Sequence, residues 1–419
     1  MRLEIEAGQR HKLPALLAAI LADNRFYAAK LRGATPDSDL ASLPFTFKPE
    51  LIADQAAHPP YGSNLTYPLE RYTRFWQTSG TSGSPMRWLD TAESWEWLLD
   101  NWTRVLTHAG VSAGDIVFSA FSFGPYLGFW AGFEAAARMG CLVIPGGGMR
   151  SAGRLHTMID ASATVLCCTP TYALRLAEVA AEEGIDLAAA KVRTIIVAGE
   201  PGGSVPGTRN HIVKLWSGAK LVDHHGMSEI GPVSYGCPAQ PGLLHVMEDS
   251  YIAEIVDPAS GGAVPTGTAG ELVLTNLGRL GSPLLRYRTG DIVEAAPPGR
   301  CACGSYELAL RGGIRGRTDD MVVVRGVNLY PSAVDDILRA CGVAEYRVQI
   351  HREHALTELT IQAEPADFTD HAHLAHHLET ELASAFGLRI PVSLVPRASL
   401  PRFEMKARRW VNAETAAVT

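Results

Sequence analysis

The run Thr78-Ser79-Gly80-Thr81-Ser82-Gly83-Ser84-Pro85 interleaves hydroxyl side chains with glycines. Glycine lets backbone N–H groups converge on an anion with no Cβ in the way, and Ser and Thr hydroxyls add donors of matching reach. The composition is that of a phosphate cradle. Ordinary solvent loops share it, so its meaning depends on the charged positions elsewhere. Asp291 closes Leu285-Arg286-Tyr287-Arg288-Thr289-Gly290-Asp291, where a carboxylate after a glycine turn can accept from two vicinal hydroxyls such as those of a ribose. Arg317 and Asp319 fall in Gly316-Arg317-Thr318-Asp319-Asp320, and Lys406 is a lone lysine in Leu400-Pro401-Arg402-Phe403-Glu404-Met405-Lys406-Ala407.

A second set of residues has metal chemistry. Cys301 and Cys303 are one residue apart, and Cys237 and His245 lie on the preceding β-rich stretch. Three thiolates and an imidazole make a tetrahedral Zn²⁺ site, and four protein ligands leave no position open, so its role would be structural. The chain has 7 cysteines, an odd number without a regular framework, which favours thiols or metal ligands over disulfides.

These residues act together only if a scaffold brings them to one edge. Short apolar strands alternate with helices from residue 93 to residue 223, the pattern of a parallel sheet covered by helices. Ligands of such sheets bind beyond the carboxyl ends of the strands. Three loops follow strand ends: 121–126, Ala198-Gly199-Glu200-Pro201, and His224-His225-Gly226-Met227-Ser228-Glu229. A helix over 10–32 precedes this region, and Pro- and Gly-punctuated strands follow it from residue 251, including one over 291–294. The tail reads as strand 321–324, helix 331–340, strands 346–351 and 356–363, helix 369–386 and strand 391–395, a split βαβ order. The fold class is therefore α/β: a large N-terminal α/β part with β-rich subdomains, then a small α+β domain.

The totals exclude other classes. At 419 residues the chain is long enough for two or three domains. A net charge of −7 offers no basic field for nucleic acid. No window approaches the ~20 apolar residues of a membrane span, and a charged start without a signal-peptide pattern indicates a cytoplasmic protein.

Taken in order, the motifs resemble the adenylate-forming superfamily of acyl-CoA ligases, most closely its phenylacetate–CoA ligase branch, from about residue 70 to 410. The resemblance implies an N-terminal adenylation domain over 1–316, β-rich from about 235, and a mobile C-terminal lid over 317–419 hinged at Asp319. It implies that Thr78, Ser79, Gly80, Thr81, Ser82 and Gly83 wrap the β,γ-phosphates of ATP, and that Glu229 holds Mg²⁺. Ala198, Gly199, Glu200 and Pro201 would flank the adenine, His225, Gly226, Met227 and Ser228 would line the nucleotide, and Asp291 and Arg317 would bind the ribose. Lys406 would be the lid lysine, a cation between two anions that must meet. Phe121, Phe123 and Tyr126, with His225 and Gly226, would form an acyl pocket whose aromatic character favours an aryl acid. The same Cys237, His245, Cys301 and Cys303 resemble a structural zinc site of some relatives. Two positions depart from the pattern: Ser84 stands where a lysine is common, and Met405 where a glycine is.

The function so implied is ATP-dependent activation of a carboxylic acid, aromatic by the character of the pocket, as an acyl-AMP with release of pyrophosphate, followed by transfer of the acyl group to a thiol, that of CoA. A carrier protein or an amine as acceptor is the nearest alternative, and a non-catalytic nucleotide-binding protein is the alternative of another class. A homodimer is compatible with either. A phosphate-loop NTPase is excluded, because the loop lacks the Gly-Lys-Ser/Thr ending.

Overall fold

The computed structural model describes residues 1–78, 85–121, 123–216, 218–325, 327–353, 356–366, 371–403 and 407–412. At its centre is a five-stranded sheet in the order Leu142–Pro145, Ile116–Ser119, Val165–Cys168, Thr194–Val197, Lys220–Asp223, and every pairing is parallel. Alternation along the strands divides the core. Val117, Val165, Cys167, Ile196 and Val222 enter one apolar cluster with Trp95, Leu98 and Trp102, while Phe118, Leu166, Cys168, Ile195 and Leu221 enter another with Leu155, Tyr172 and Trp216. Helices therefore have to cover both faces, as the near-continuous apolar strands require.

The helix expected over 10–32 is two helices, Arg2–Asp23 and Arg25–Lys30. Asn24 breaks it: its side chain accepts from Tyr27 N and donates to Asn64 and Thr66, so it serves as the N-cap of the second helix.

Beyond the central sheet, Tyr251–Val256, Ala269–Asn276, Tyr287–Glu294 and Gly316–Arg317 form an antiparallel sheet, and Ser234–Gly236, Leu243–Val246 and Ala309–Arg311 form another. The strand expected over 291–294 begins at Tyr287, so the Tyr-Arg-Thr-Gly-Asp run is itself strand, irregular where Gly290 takes φ +78°. In the C-terminal part the helices Pro331–Ala340 and His371–Phe386 pack Val334, Leu338, Leu374, Leu378 and Leu382 against a separate core. Its sheet runs Val392–Leu394, Leu356–Pro365, Val343–Glu353, Trp410–Asn412. The strand expected over 321–324 instead pairs with Val327–Leu329 in a hairpin of its own, and the fourth strand comes from the chain's end. Among the described residues no helix is long and apolar enough to cross a membrane.

Candidate active site

All three expected loops leave the carboxyl edge of the parallel sheet, after Ser119, Val197 and Asp223. Facing them is the strand Tyr287–Glu294. Register pairs Asp291 with Arg317, and Arg317 NH1 donates to Asp291 Oδ1 at 3.0 Å while His225 Nε2 lies 3.0 Å from Oδ2. Arg317 also grips Asp319 through Nε and NH2 at 2.7 and 3.0 Å. Four of the sequence-derived residues thus form one network. Gly290 permits it, since a Cβ there would come within 3.1 Å of the Arg317 guanidinium.

Glu229 is buried, and its carboxylate lies 3.3 Å from Lys48 Nζ. Its loop is fixed from behind by residues that the sequence reading missed. Arg279 donates to the carbonyls of Ser228 and Glu229 at 2.8 and 2.9 Å and forks onto Asp90 at 2.7 Å twice. Both charges are wholly buried, and Trp76 Nε1 donates to Asp90 as well. A buried ion pair holds only when its remaining donors are satisfied, as here. Asp90 lies on the strand Arg87–Thr91 that leaves the phosphate loop, so the clamp ties that strand to the Glu229 loop. No spacing links residues so far apart in the chain.

Ser79, Gly80, Thr81, Ser82, Gly83 and Ser84 lie outside the described residues, as do Met405 and Lys406. The loop's ends are described: Thr78 N donates to Met86 O at 2.9 Å, and Met86 N donates to Thr78 Oγ1 at 3.0 Å. Thr78 is therefore engaged in closing the loop. Around Lys406, Ala407 N donates to Glu200 Oε2 at 3.2 Å and Arg402 Nε to Glu178 at 3.0 Å. Glu200 Oε1 accepts from Thr171 N, so this side chain joins the C-terminal part to the body, while Gly199 turns the loop with φ +95°. The seam continues where Asp336 accepts from Gly207 N at 2.5 Å and Asp335 accepts from the Thr208 hydroxyl, at the start of the helix Pro206–Leu215.

Phe121, Phe123 and Tyr126 meet three further rings of the helix Leu127–Arg138. Phe121 stacks on Phe129 at 4.1 Å, Phe123 meets Trp130 and Phe133 edge-on at 4.9 and 5.3 Å, and Tyr126 lies 6.1 Å from Phe129. The extra rings recur along one helix, a signal that was present in the sequence. The same helix packs against the short strand Gly226–Met227.

Cys237, His245, Cys301 and Cys303 bring their ligand atoms within 4.8 Å of one another. Cys237 and Cys301 sulfurs are 3.6 Å apart, and Cys303 Sγ is 3.4 Å from His245 Nε2. A tetrahedron with Zn–S bonds of about 2.3 Å has S···S edges of roughly 3.8 Å, so the four groups fit such an ion. Burial, then crowding by Cys301 and Cys237, pushes the Cys303 thiol up to about 11, the repulsion a central cation would remove. Burial lowers the His245 pKa and keeps its imidazole neutral, as a ligand must be.

Two family models match the chain: "AMP-binding enzyme" over residues 76–278 and "AMP-binding enzyme C-terminal domain" over 326–413. A phenylacetate-coenzyme A ligase of Thermus thermophilus is 30% identical over 432 residues, spanning 96% of this chain and 95% of the relative. The chain belongs to the AMP-binding enzyme family. As a member it is an AMP-forming acid–thiol ligase, which activates a carboxyl group with ATP as an acyl-adenylate before a thiol takes the acyl group. The Escherichia coli phenylacetate-coenzyme A ligase is 28% identical over 97% of this chain and 94% of its own.

Solved states of another AMP-forming ligase frame the arrangement of parts. The chain matches 2-hydroxyisobutyryl-CoA ligase in the postadenylation state with a TM-score of 0.90 at 29% identity, over 97% of this chain and 89% of that one. Against the same enzyme in the thioesterification state, with CoA, the TM-score is 0.73 at 30% identity, over 98% and 90%. At nearly the same coverage, the higher TM-score is the one to the postadenylation state.

Proposed function

We propose that the protein is an aryl-CoA ligase, joining an aromatic carboxylic acid to CoA by way of its acyl-AMP. The observation that carries the aromatic assignment is the wall of rings at the carboxyl edge, Phe121, Phe123 and Tyr126 backed by Phe129, Trp130 and Phe133. Aromatic faces and edges favour a ring partner over an alkyl chain. CoA as acceptor is supported by the names of the relatives.

In this reading Asp291 accepts the ribose hydroxyls, oriented by Arg317 and His225. The backbone of Ala198–Pro201 flanks the adenine, with His225–Ser228 lining the nucleotide. The loop Thr78–Gly83, closed at its base by Thr78, binds the β,γ-phosphates. Glu229 is the residue that would hold Mg²⁺: a buried carboxylate already facing a cation suits a hard divalent ion, which when bound neutralises phosphate charge. Lys406 approaches the carboxylate and α-phosphate oxygens when the C-terminal part is in its adenylation placement, stabilising charge that develops as the two anions join. Pyrophosphate leaves, the part comprising residues 317–419 turns about Asp319, and the thiol attacks the acyl carbon, releasing AMP. Cys237, His245, Cys301 and Cys303 would hold a Zn²⁺ whose four protein ligands give it a structural role. The free thiols fit a reducing cytoplasm. Every named group comes from one chain, so the reading requires no second copy.

The test is acid-dependent exchange of labelled pyrophosphate into ATP over arylacetic, benzoic, alkyl and 2-hydroxyisobutyric acids, then acyl transfer to CoA, a phosphopantetheinyl carrier protein or amines. Aryl acids should exchange fastest, with CoA consumed. A preference for 2-hydroxyisobutyrate would overturn the aromatic assignment, transfer to carrier protein alone would overturn CoA, and no exchange with any acid would leave a nucleotide-binding protein.

A further inference from the structure

A magnesium triphosphate brings net negative charge, and Glu229 adds more, yet Thr78–Pro85 contains neither lysine nor arginine. Backbone amides and hydroxyls supply only partial charges there. We propose that Lys48 is the cation of the phosphate end: its ammonium binds the β,γ-phosphate oxygens of ATP, and the pyrophosphate formed from them, standing in for the lysine that the loop lacks at Ser84. The proposal rests on the assignment of Glu229 to the phosphate end.

Lys48 is held where this role needs it. Thr46 bridges to Tyr287 as a parallel partner, donating from its N–H to Arg286 O and accepting from Arg288 N, both at 2.9 Å, while its hydroxyl donates to Leu285 O at 2.7 Å. The segment before Lys48 is thereby stitched to the strand that carries Asp291. Lys48 then opens the helix Lys48–Ala57. Near its other end Gln55 exchanges two hydrogen bonds with the backbone of Arg87, at 2.7 and 2.9 Å, on the strand leaving the phosphate loop. At 1.5 Å per residue those two anchors are roughly 10 Å apart. The helix therefore spans from Glu229 to the strand at the phosphate loop's exit.

The side chain is also free to act. Its Nζ lies 3.3 Å from Glu229, and the Lys48 side chain is 36% exposed against 9% for its partner. Glu50, the nearest acid on the same helix, is engaged by Lys30 and by Phe47 N. Turning from Glu229 to a phosphate oxygen exchanges one anionic partner for another and releases the carboxylate for its own role. A flexible stem with a point charge suits that movement better than a fixed guanidinium fork.

Equilibrium binding of Mg-ATP, magnesium pyrophosphate and AMP to the full chain, with pyrophosphate exchange alongside, tests this in the parent, Lys48→Gln, Lys48→Gln with Ser84→Lys, and Glu229→Gln. Lys48→Gln should weaken ATP and pyrophosphate by about tenfold or more, as expected for losing a charge-assisted contact, and leave AMP unchanged. Adding Ser84→Lys should restore most of the loss, which a merely structural ion pair would not allow. ATP and pyrophosphate binding within twofold of the parent, or an equal loss for AMP, overturns the role of Lys48. Glu229→Gln separates the two readings: if it retains exchange, the Glu229 assignment fails, and if it loses exchange while Lys48→Gln binds as the parent does, only Lys48 is refuted.

Discussion

Asp291 and Asp336 are both carboxylates that accept from a neighbouring segment, but what stands behind each differs. Asp291 is buried in a sheet whose register delivers Arg317, with His225 on its other oxygen. Asp336 belongs to a helix of a separate core and reaches across to a backbone amide of Pro206–Leu215. The same contrast runs along the cleft. On the body side, Arg279 and Asp90 fix the Glu229 loop from within, whereas the seam is joined by Ala407 on Glu200, Arg402 on Glu178 and Asp335 on Thr208. On the proposed turn of the C-terminal part about Asp319, body contacts would persist and seam contacts would be made in one placement only. Body substitutions should therefore harm both half-reactions, and seam substitutions should harm one.

The largest effect expected is on the seam. Lys406→Ala should lower pyrophosphate exchange by about 10²- to 10³-fold, the scale of losing one preorganised charge stabiliser, with thioester formation from supplied acyl-AMP far less affected. Equal loss in both would erase the contrast. On the body side, Asp291→Asn removes a charged acceptor of about 1.5–3 kcal/mol, so binding of both ATP and acyl-AMP should weaken by roughly 10- to 100-fold. A loss confined to one of them would move Asp291 to the seam's class.

A third expectation concerns the body's stability. Burial lowers the His224 pKa from 6.5 to about 4, and its Nδ1 lies 2.6 Å from Ser234 O. The unfolded chain binds a proton below pH 6.5 that the folded chain refuses, so stability falls as pH drops from 6.5 toward 4, by about 2 kcal/mol at pH 5 for this group. Denaturant midpoints of the parent and His224→Gln should converge on the acid side of that window, and parallel curves would show that His224 does not carry the dependence. The smallest effect belongs to the seam again: Asp336→Asn weakens one hydrogen bond by about 1 kcal/mol. Exchange should fall a few-fold while thioester formation holds or rises, read from the two half-reaction rates.

What could be read beforehand follows from how local each feature is. The parallel sheet and its loops were legible because each strand is a short apolar run between helices, and the meeting of Cys237, His245, Cys301 and Cys303 because such residue types at that spacing are rare. Glu229, Asp291 and Arg317 stood out by their motifs, and in the structure Glu229 is buried and Arg317 pairs with Asp291. Lys48, Asp90 and Arg279 were not, since their meaning comes from packing between segments far apart in the chain. The break at Asn24 was missed because the apolar stripe continues across it while a side-chain cap takes over the backbone. The hairpin of Val322–Val324 with Val327–Leu329 was missed because Val322–Val324 carries the same apolar pattern whether it joins the main sheet or pairs with its neighbour.

The measurement that bears most directly on the adenylate account is the fate of carboxylate oxygen. With acid labelled by ¹⁸O in its carboxyl group, a full turnover with ATP and CoA should place one label in AMP, because the acid's oxygen bonds the α-phosphorus and stays there when the thiol takes the acyl group. Label in orthophosphate, with ADP as the nucleotide product, would contradict it.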